Sequence, residues 1–125
     1  MILDTNAVSA LLAGDLSIED VLANAERHHL PVMVIGEYLF GLTGSVGRSR
    51  LKLVFQKLIG ESIVLDVDQY TAEIYARIRF ELKQKGRPLP DNDIWIAALA
   101  RQHNLSLVTR DSHFDVVDGI RRMSW

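Results

Sequence analysis

The sequence contains no cysteine. That absence removes disulfides, a thiol nucleophile and every zinc site built on thiolates. It also fits a chain kept in a reducing cytoplasm. Long hydrophobic runs are missing as well: none approaches the ~20 residues that a membrane span needs. The opening stretch MILDTNAVSA has neither a basic n-region nor a long apolar core, so no signal peptide is expected. Neither sign of charge dominates, since 14 Lys and Arg against 16 Asp and Glu leave a formal net charge of −2. That balance neither demands nor excludes a nucleic-acid partner, because an acidic pocket and a basic rim cancel in the total. Internal repeats, low-complexity tracts and linkers are absent too. A chain of 125 residues suffices for one domain burying roughly two-thirds of its unfolded surface, so residues 1–125 are expected to form a single domain.

What is present is an alternation of two kinds of segment. Four apolar runs are short enough for strands: Ile2-Leu3, Val32 to Ile35, Ile63 to Val67 and Leu105 to Val108. Longer segments with helical spacing lie between them. Ile18, Val21, Leu22 and Ala25 form one stripe, opened by Ser17 with Asp20 three residues on. Leu51, Val54, Phe55 and Leu58 form another, ending near Gly60. A third helix is capped by Asp68 and stopped at Gly86-Arg87-Pro88. Ile94 to His103 is apolar almost all round and should be buried on more than one side. Strands alternating with helices predict an α/β fold with a parallel sheet covered on both faces. The last strand falls at Val116-Val117 or within Arg121 to Ser124.

In such sheets ligands bind beyond the carboxyl ends of the strands. Asp4, Glu37 and Asp111 each follow a predicted strand, and Asp93 lies in the first turn of a helix, where an anion is favoured. Singly, each has a plain explanation as a cap, a turn former or dipole compensation. Together, four carboxylates at one edge repel and raise one another's pKa values unless a cation neutralises them. Oxygen ligands without thiolate suit Mg²⁺ or Mn²⁺. Asp66 and Asp68 end another apolar run; Asp68 is explained as a cap, and Asp66 drops out only if its strand lies at the sheet edge. In LPDNDIWIAALA (89–100), Asp91 or Asn92 is expected to cap the helix, leaving Asp93 free.

Other motifs carry less. GLTGSVGRSR (41–50) lacks the spacing and lysine of a phosphate loop and reads as a connection between helices. Asp4-Thr5-Asn6 resembles the start of the haloacid-dehalogenase phosphatases, but the second aspartate those enzymes carry is here Asn6. His28 and His29 are placed in a polar helix end and His103 at a helix C-terminus; His113, near Asp111, stays open. Arg48, Arg50, Lys52 and Lys57, and Arg77, Arg79, Lys83, Lys85 and Arg87, read first as solvated helix faces.

Four motifs in series, LDTN (3–6), Glu37 within VIGEYLFGL, DIWIAALA (93–100) and LVTRDSHF (107–114), resemble the PIN-domain ribonucleases, and most closely the VapC toxins. They span nearly the whole chain. The resemblance implies a three-layer α/β/α sandwich whose third strand lies at an edge. It implies an acidic centre of Asp4, Glu37, Asp93 and Asp111 binding metal directly or through water, with Asn6 and Thr109 in support and Asp115 optional. It further implies Mg²⁺-dependent endonucleolytic cleavage of RNA of the tRNA or rRNA class, with Mn²⁺ as a substitute cofactor. Homodimers and silencing by a VapB antitoxin also belong to that family pattern. Two other readings stay open on the residues alone: a metal-dependent phosphohydrolase using Asp4 as nucleophile, and a PIN-like module that binds RNA or a partner without cutting.

Overall fold

The computed structural model describes residues 1–44 and 48–125. The middle of the 41–50 connection, residues 45–47, lies outside the described residues. Five strands run in parallel: β1 (Ile2–Leu3), β2 (His29–Pro31), β3 (Ile63–Leu65), β4 (Leu107–Val108) and β5 (Arg122–Met123). Their order is β3-β2-β1-β4-β5. The chain builds outward from β1 on one side and then crosses to the other, so the topological switch point falls between β1 and β4. Helices on both faces complete an α/β sandwich. Ile2, Leu3, Leu107 and Val108 have no exposed surface, as strands covered on both faces should.

The helices are α1 (Thr5–Leu12), α2 (Leu16–Leu22), α3 (Val32–Gly41), α4 (Ser49–Glu61), α5 (Gln69–Lys85) and α6 (Asp91–His103); a 3₁₀ turn covers Ser112–Val116. Helix α5 starts in a capping box between Asp68 and Thr71 and stops at Gly86, whose φ of +65° is left-handed backbone that glycine adopts without penalty. Helix α6 buries Ile94, Ile96, Ala97, Ala98, Leu99 and Ala100, and packs along α5. Its alanines let the neighbouring elements approach closely. Among the described residues no helix is long and apolar enough to cross a membrane.

Three local expectations are corrected. The run Val32 to Ile35 is the first turn of α3, and the strand is the preceding His29–Pro31. A short apolar run fits a buried helix as well as a strand; here Pro31 ends the ladder and opens the helix, and Val34 and Tyr38 supply its buried face. His29 is therefore in a strand rather than a helix end. Helix α2 is capped by Asp15, which accepts the Ser17 N–H, and not by Ser17. Helix α4 ends at Glu61, one residue past Gly60, as expected. The alternatives for the last strand resolve to Arg122–Met123.

Candidate active site

The backbone brings β1 and β4 into register as Ile2 beside Leu107 and Leu3 beside Val108. One residue further, the Asp4 N–H donates to the Val108 carbonyl at 3.1 Å. Asp4 and Thr109 thus emerge side by side at the switch point. Asp4 is the N-cap of α1, accepting the Thr5 N–H on Oδ1 at 2.8 Å, while its Oδ2 accepts the Thr109 hydroxyl at 2.8 Å. That hydroxyl, wholly buried, also accepts from Asn6 Nδ2 and from the Asp111 N–H, each at 3.0 Å. Asn6 Oδ1 in turn accepts the Arg110 N–H at 3.2 Å. One threonine oxygen therefore ties Asp4, Asn6 and the Asp111 backbone together across two strands. Asp111 caps the 3₁₀ turn, its Oδ1 accepting the His113 N–H at 2.9 Å and lying 2.7 Å from His113 Nδ1.

The remaining two acids come from helices. Glu37 lies in the second turn of α3; its Oε2 accepts the Thr5 hydroxyl at 2.7 Å and its Oε1 accepts the Asn92 amide at 2.8 Å. Asp93 lies in the first turn of α6, and among the described residues nothing donates to its carboxylate. The expected cap is corrected here. Pro90 is the N-cap of α6 and makes no side-chain cap bond; Asp91 and Asn92 already have helical backbone. Three successive side chains on a helix point about 100° apart. Asp91 therefore reaches the Tyr75 hydroxyl at 2.8 Å and Arg79 at 3.4 Å, Asn92 reaches Glu37, and Asp93 is left bare.

At Asp4 and Asp93 the charges of the neighbouring acids are felt directly. Burial, followed by the charges of Asp4, Asp111 and Glu37, pushes the Asp93 carboxyl up to about 6. Burial also raises Asp4; its bonds from Thr109 and Thr5 oppose that shift, and Glu37 and Asp111 add to it. A cation placed among them would relieve this repulsion, and the donor set is entirely hard oxygen. No three His, Cys, Asp or Glu side chains among the described residues are gathered tightly enough to hold an ion by themselves. The acids ring the site without closing on it. A cavity of about 300 Å³ opens from Thr5 and Glu37 toward Tyr38, Leu42 and Arg48, between α1, α3 and α4. A larger one, about 530 Å³, lies on the Asp91 and Arg79 flank of α6 and is not lined by the four acids.

Two other acids separate from the site. Asp66 follows the edge strand β3 and is exposed. Asp115 pairs with Arg122 at 2.7 Å and makes no hydrogen bond to the four acids. Asp4, the nucleophile that a phosphohydrolase of the dehalogenase type requires, is only 6% exposed and has both oxygens engaged. Sequence reasoning missed Thr5 and Asn92. The signal for Asn92 was its position: three short polar residues in a row on one helical turn cannot all serve the same cap.

A PIN-domain family model matches residues 1–120. Ribonuclease VapC5 of Mycobacterium tuberculosis is 30% identical over 122 residues, covering 94% of this chain and 87% of its own. The tRNA(fMet)-specific endonuclease VapC of Shigella flexneri is 33% identical over 90 residues, covering 71% of this chain and 68% of its own. Among solved structures, DNA-bound VapBC from Salmonella typhimurium matches with a TM-score of 0.87 and 29% identity, over 99% of this chain and 96% of that one.

Proposed function

Because the chain belongs to the PIN-domain family, we propose that it is an endoribonuclease, the toxin of a VapBC-type toxin–antitoxin pair, and that Asp4, Glu37, Asp93 and Asp111 carry its chemistry. The observation that bears most weight is the convergence of four carboxylates, from four distant segments, at the switch point of a parallel sheet. The toxin reading rests on similarity to the two VapC nucleases and the VapBC assembly named above. The pairing partner is a VapB-type antitoxin protein, the active form is a homodimer, and the site of action is the cytoplasm.

The cofactor is Mg²⁺, with Mn²⁺ as a substitute, held by Asp4, Asp93 and Asp111 directly or through water. An ion held there would act as a Lewis acid, activating water for attack and offsetting charge on the scissile phosphate. The chain's own groups do the rest. Asp4 is fixed by Thr5 and Thr109, so its direction is set before substrate arrives. Asp93, whose carboxyl is pushed up to about 6 by burial and the neighbouring acids, offers two oxygens to which no described residue donates. Glu37 binds the ion or orients the attacking water. Asn6 and Thr109 lock the two strand ends. Arg48 lines the cavity that opens at Glu37, which supports a role for its guanidinium in holding the RNA backbone. The substrate class is tRNA or rRNA, in which single-stranded loops present splayed bases.

The test is cleavage of total RNA and of purified tRNA and rRNA, with and without Mg²⁺, by the wild type and by Asp4→Asn, Asp93→Asn and Asp111→Asn. Folded variants that cut as fast as the wild type would overturn the site. Binding of RNA without any turnover, under Mg²⁺ and Mn²⁺ alike, would replace the nuclease with a binding module.

A further inference from the structure

Glu37 is the acid of the four with the most freedom to leave. Its side chain is the longest and is exposed, and it stands in the field of Asp4 and Asp93. Like charges nearby favour a conformation that swings it into solvent. It does not swing away, because both its oxygens are held by donors from two other elements. Thr5, the first residue of α1, donates its hydroxyl to Oε2, and Asn92, the second residue of α6, donates its amide to Oε1. Among the described residues neither donating group has another partner.

The chemistry of these donors is informative. A lysine or arginine would also hold Glu37, but it would cancel charge that a cation needs. Thr5 and Asn92 are neutral, so they fix the carboxylate and leave the negative field in place. Nor is either explained by its own helix. Helix α6 has Pro90 at its N-cap, and the Asn92 side chain is spent on a residue 55 positions earlier in the chain. Helix α1 is capped by Asp4, leaving the Thr5 hydroxyl free of that duty.

We propose that Thr5 and Asn92 are positioning residues that clamp Glu37 in the acidic centre through one neutral hydrogen bond each, so that its carboxylate stands in place before a divalent cation arrives. This rests on the reading of the centre as a cation site. It extends the site beyond the four acids and gives Asn92 a role in binding that neither capping nor dipole compensation provides.

The experiment is calorimetric titration of the purified protein with Mn²⁺, without RNA. The proteins are the wild type, Thr5→Val, Thr5→Ser and Asn92→Ala, with Thr5→Val and Asn92→Ala repeated in a Glu37→Ala background. Thr5→Val keeps the shape and removes the donor; Thr5→Ser keeps the donor. Loss of an outer partner of a metal ligand weakens binding by roughly tenfold or more, so Thr5→Val and Asn92→Ala should each weaken Mn²⁺ binding by about that factor. Thr5→Ser should bind like the wild type, and without Glu37 neither change should matter. The clamp is overturned if both variants bind Mn²⁺ like the wild type, or if they lose as much affinity in the Glu37→Ala background. A wild type that binds no Mn²⁺ would instead overturn the cation site itself, and that result is visible before any variant is compared.

Discussion

Asp91 and Asp93 lie two residues apart on the first turn of α6, yet they sit in opposite surroundings. Asp91 faces outward to the Tyr75 hydroxyl and the Arg79 guanidinium, with Trp95 stacked on the Tyr75 ring at 4.0 Å. Asp93 faces three other carboxylates and receives no hydrogen bond from any described residue. One aspartate is a surface link between helices. The other is half-buried beside three like charges, a setting that a cation or a proton relieves. A rotation of about 100° per residue is all that separates an exposed contact between helices from the cluster of acids. Composition or local propensity could not distinguish them; the partners that face each one do.

Asp93→Asn should have the largest effect. It should lower RNA cleavage by roughly three orders of magnitude, about 4 kcal/mol at 1.36 kcal/mol per decade. The same change removes a repelled charge, so the metal-free variant should melt higher than the wild type at pH 7. Loss of activity together with a lower melting temperature would mean that Asp93 holds the fold and not a cation. Thr109→Val comes next. It deletes the hydroxyl shared by Asp4, Asn6 and the Asp111 N–H, so metal affinity should fall roughly 10–100-fold. A buried unsatisfied group should also cost about 1–3 kcal/mol of stability, measurable by denaturant unfolding.

A third test uses pH. The Asp93 carboxyl titrates at about 6 in the fold and at about 3.9 in an unfolded chain. Between those values the folded protein holds more protons than the unfolded one, so the metal-free fold should lose stability as pH rises through that window. Cation binding needs the carboxylate. Mn²⁺ affinity should therefore rise from pH 5 to 7, with proton release falling from about one per ion near pH 5 to about a tenth at pH 7, which calorimetry in buffers of different ionisation enthalpy would count; an affinity flat across that range would break the assignment. The smallest effect belongs to Asp91→Ala. Its ion pair is exposed, with 62% of the Arg79 side-chain surface and 63% of its own open to solvent. The melting transition should record less than about 1 kcal/mol, and cleavage should stay within about twofold.

The alternation of short apolar runs and helical stripes was enough to place β1, α5, α6 and the parallel sheet, because those segments have clear boundaries: Asp4, Asp68, Gly86 and the Pro88–Pro90 stretch. The run Val32 to Ile35 was misread because a four-residue apolar segment packs equally well in either geometry, and only the pairing of His29–Pro31 with Ile63–Leu65 decides it. The acids were legible because chemistry restricts what four carboxylates at one sheet edge can do. Asp66 could be removed only once β3 lay at the edge of the sheet. The supports were half legible. Asn6 and Thr109 stand beside the acids in sequence, whereas the bond from Asn92 to Glu37 joins residues 55 apart and depends on how α3 and α6 meet.

Expression of the wild type, Asp93→Asn and Asp91→Ala under a controlled promoter, followed by mapping of new RNA 5′ ends, separates the roles of the two aspartates. Growth arrest and a discrete cleavage site are expected for the wild type and Asp91→Ala, and neither for Asp93→Asn. Cleavage that survives in Asp93→Asn, or disappears in Asp91→Ala, would contradict those roles.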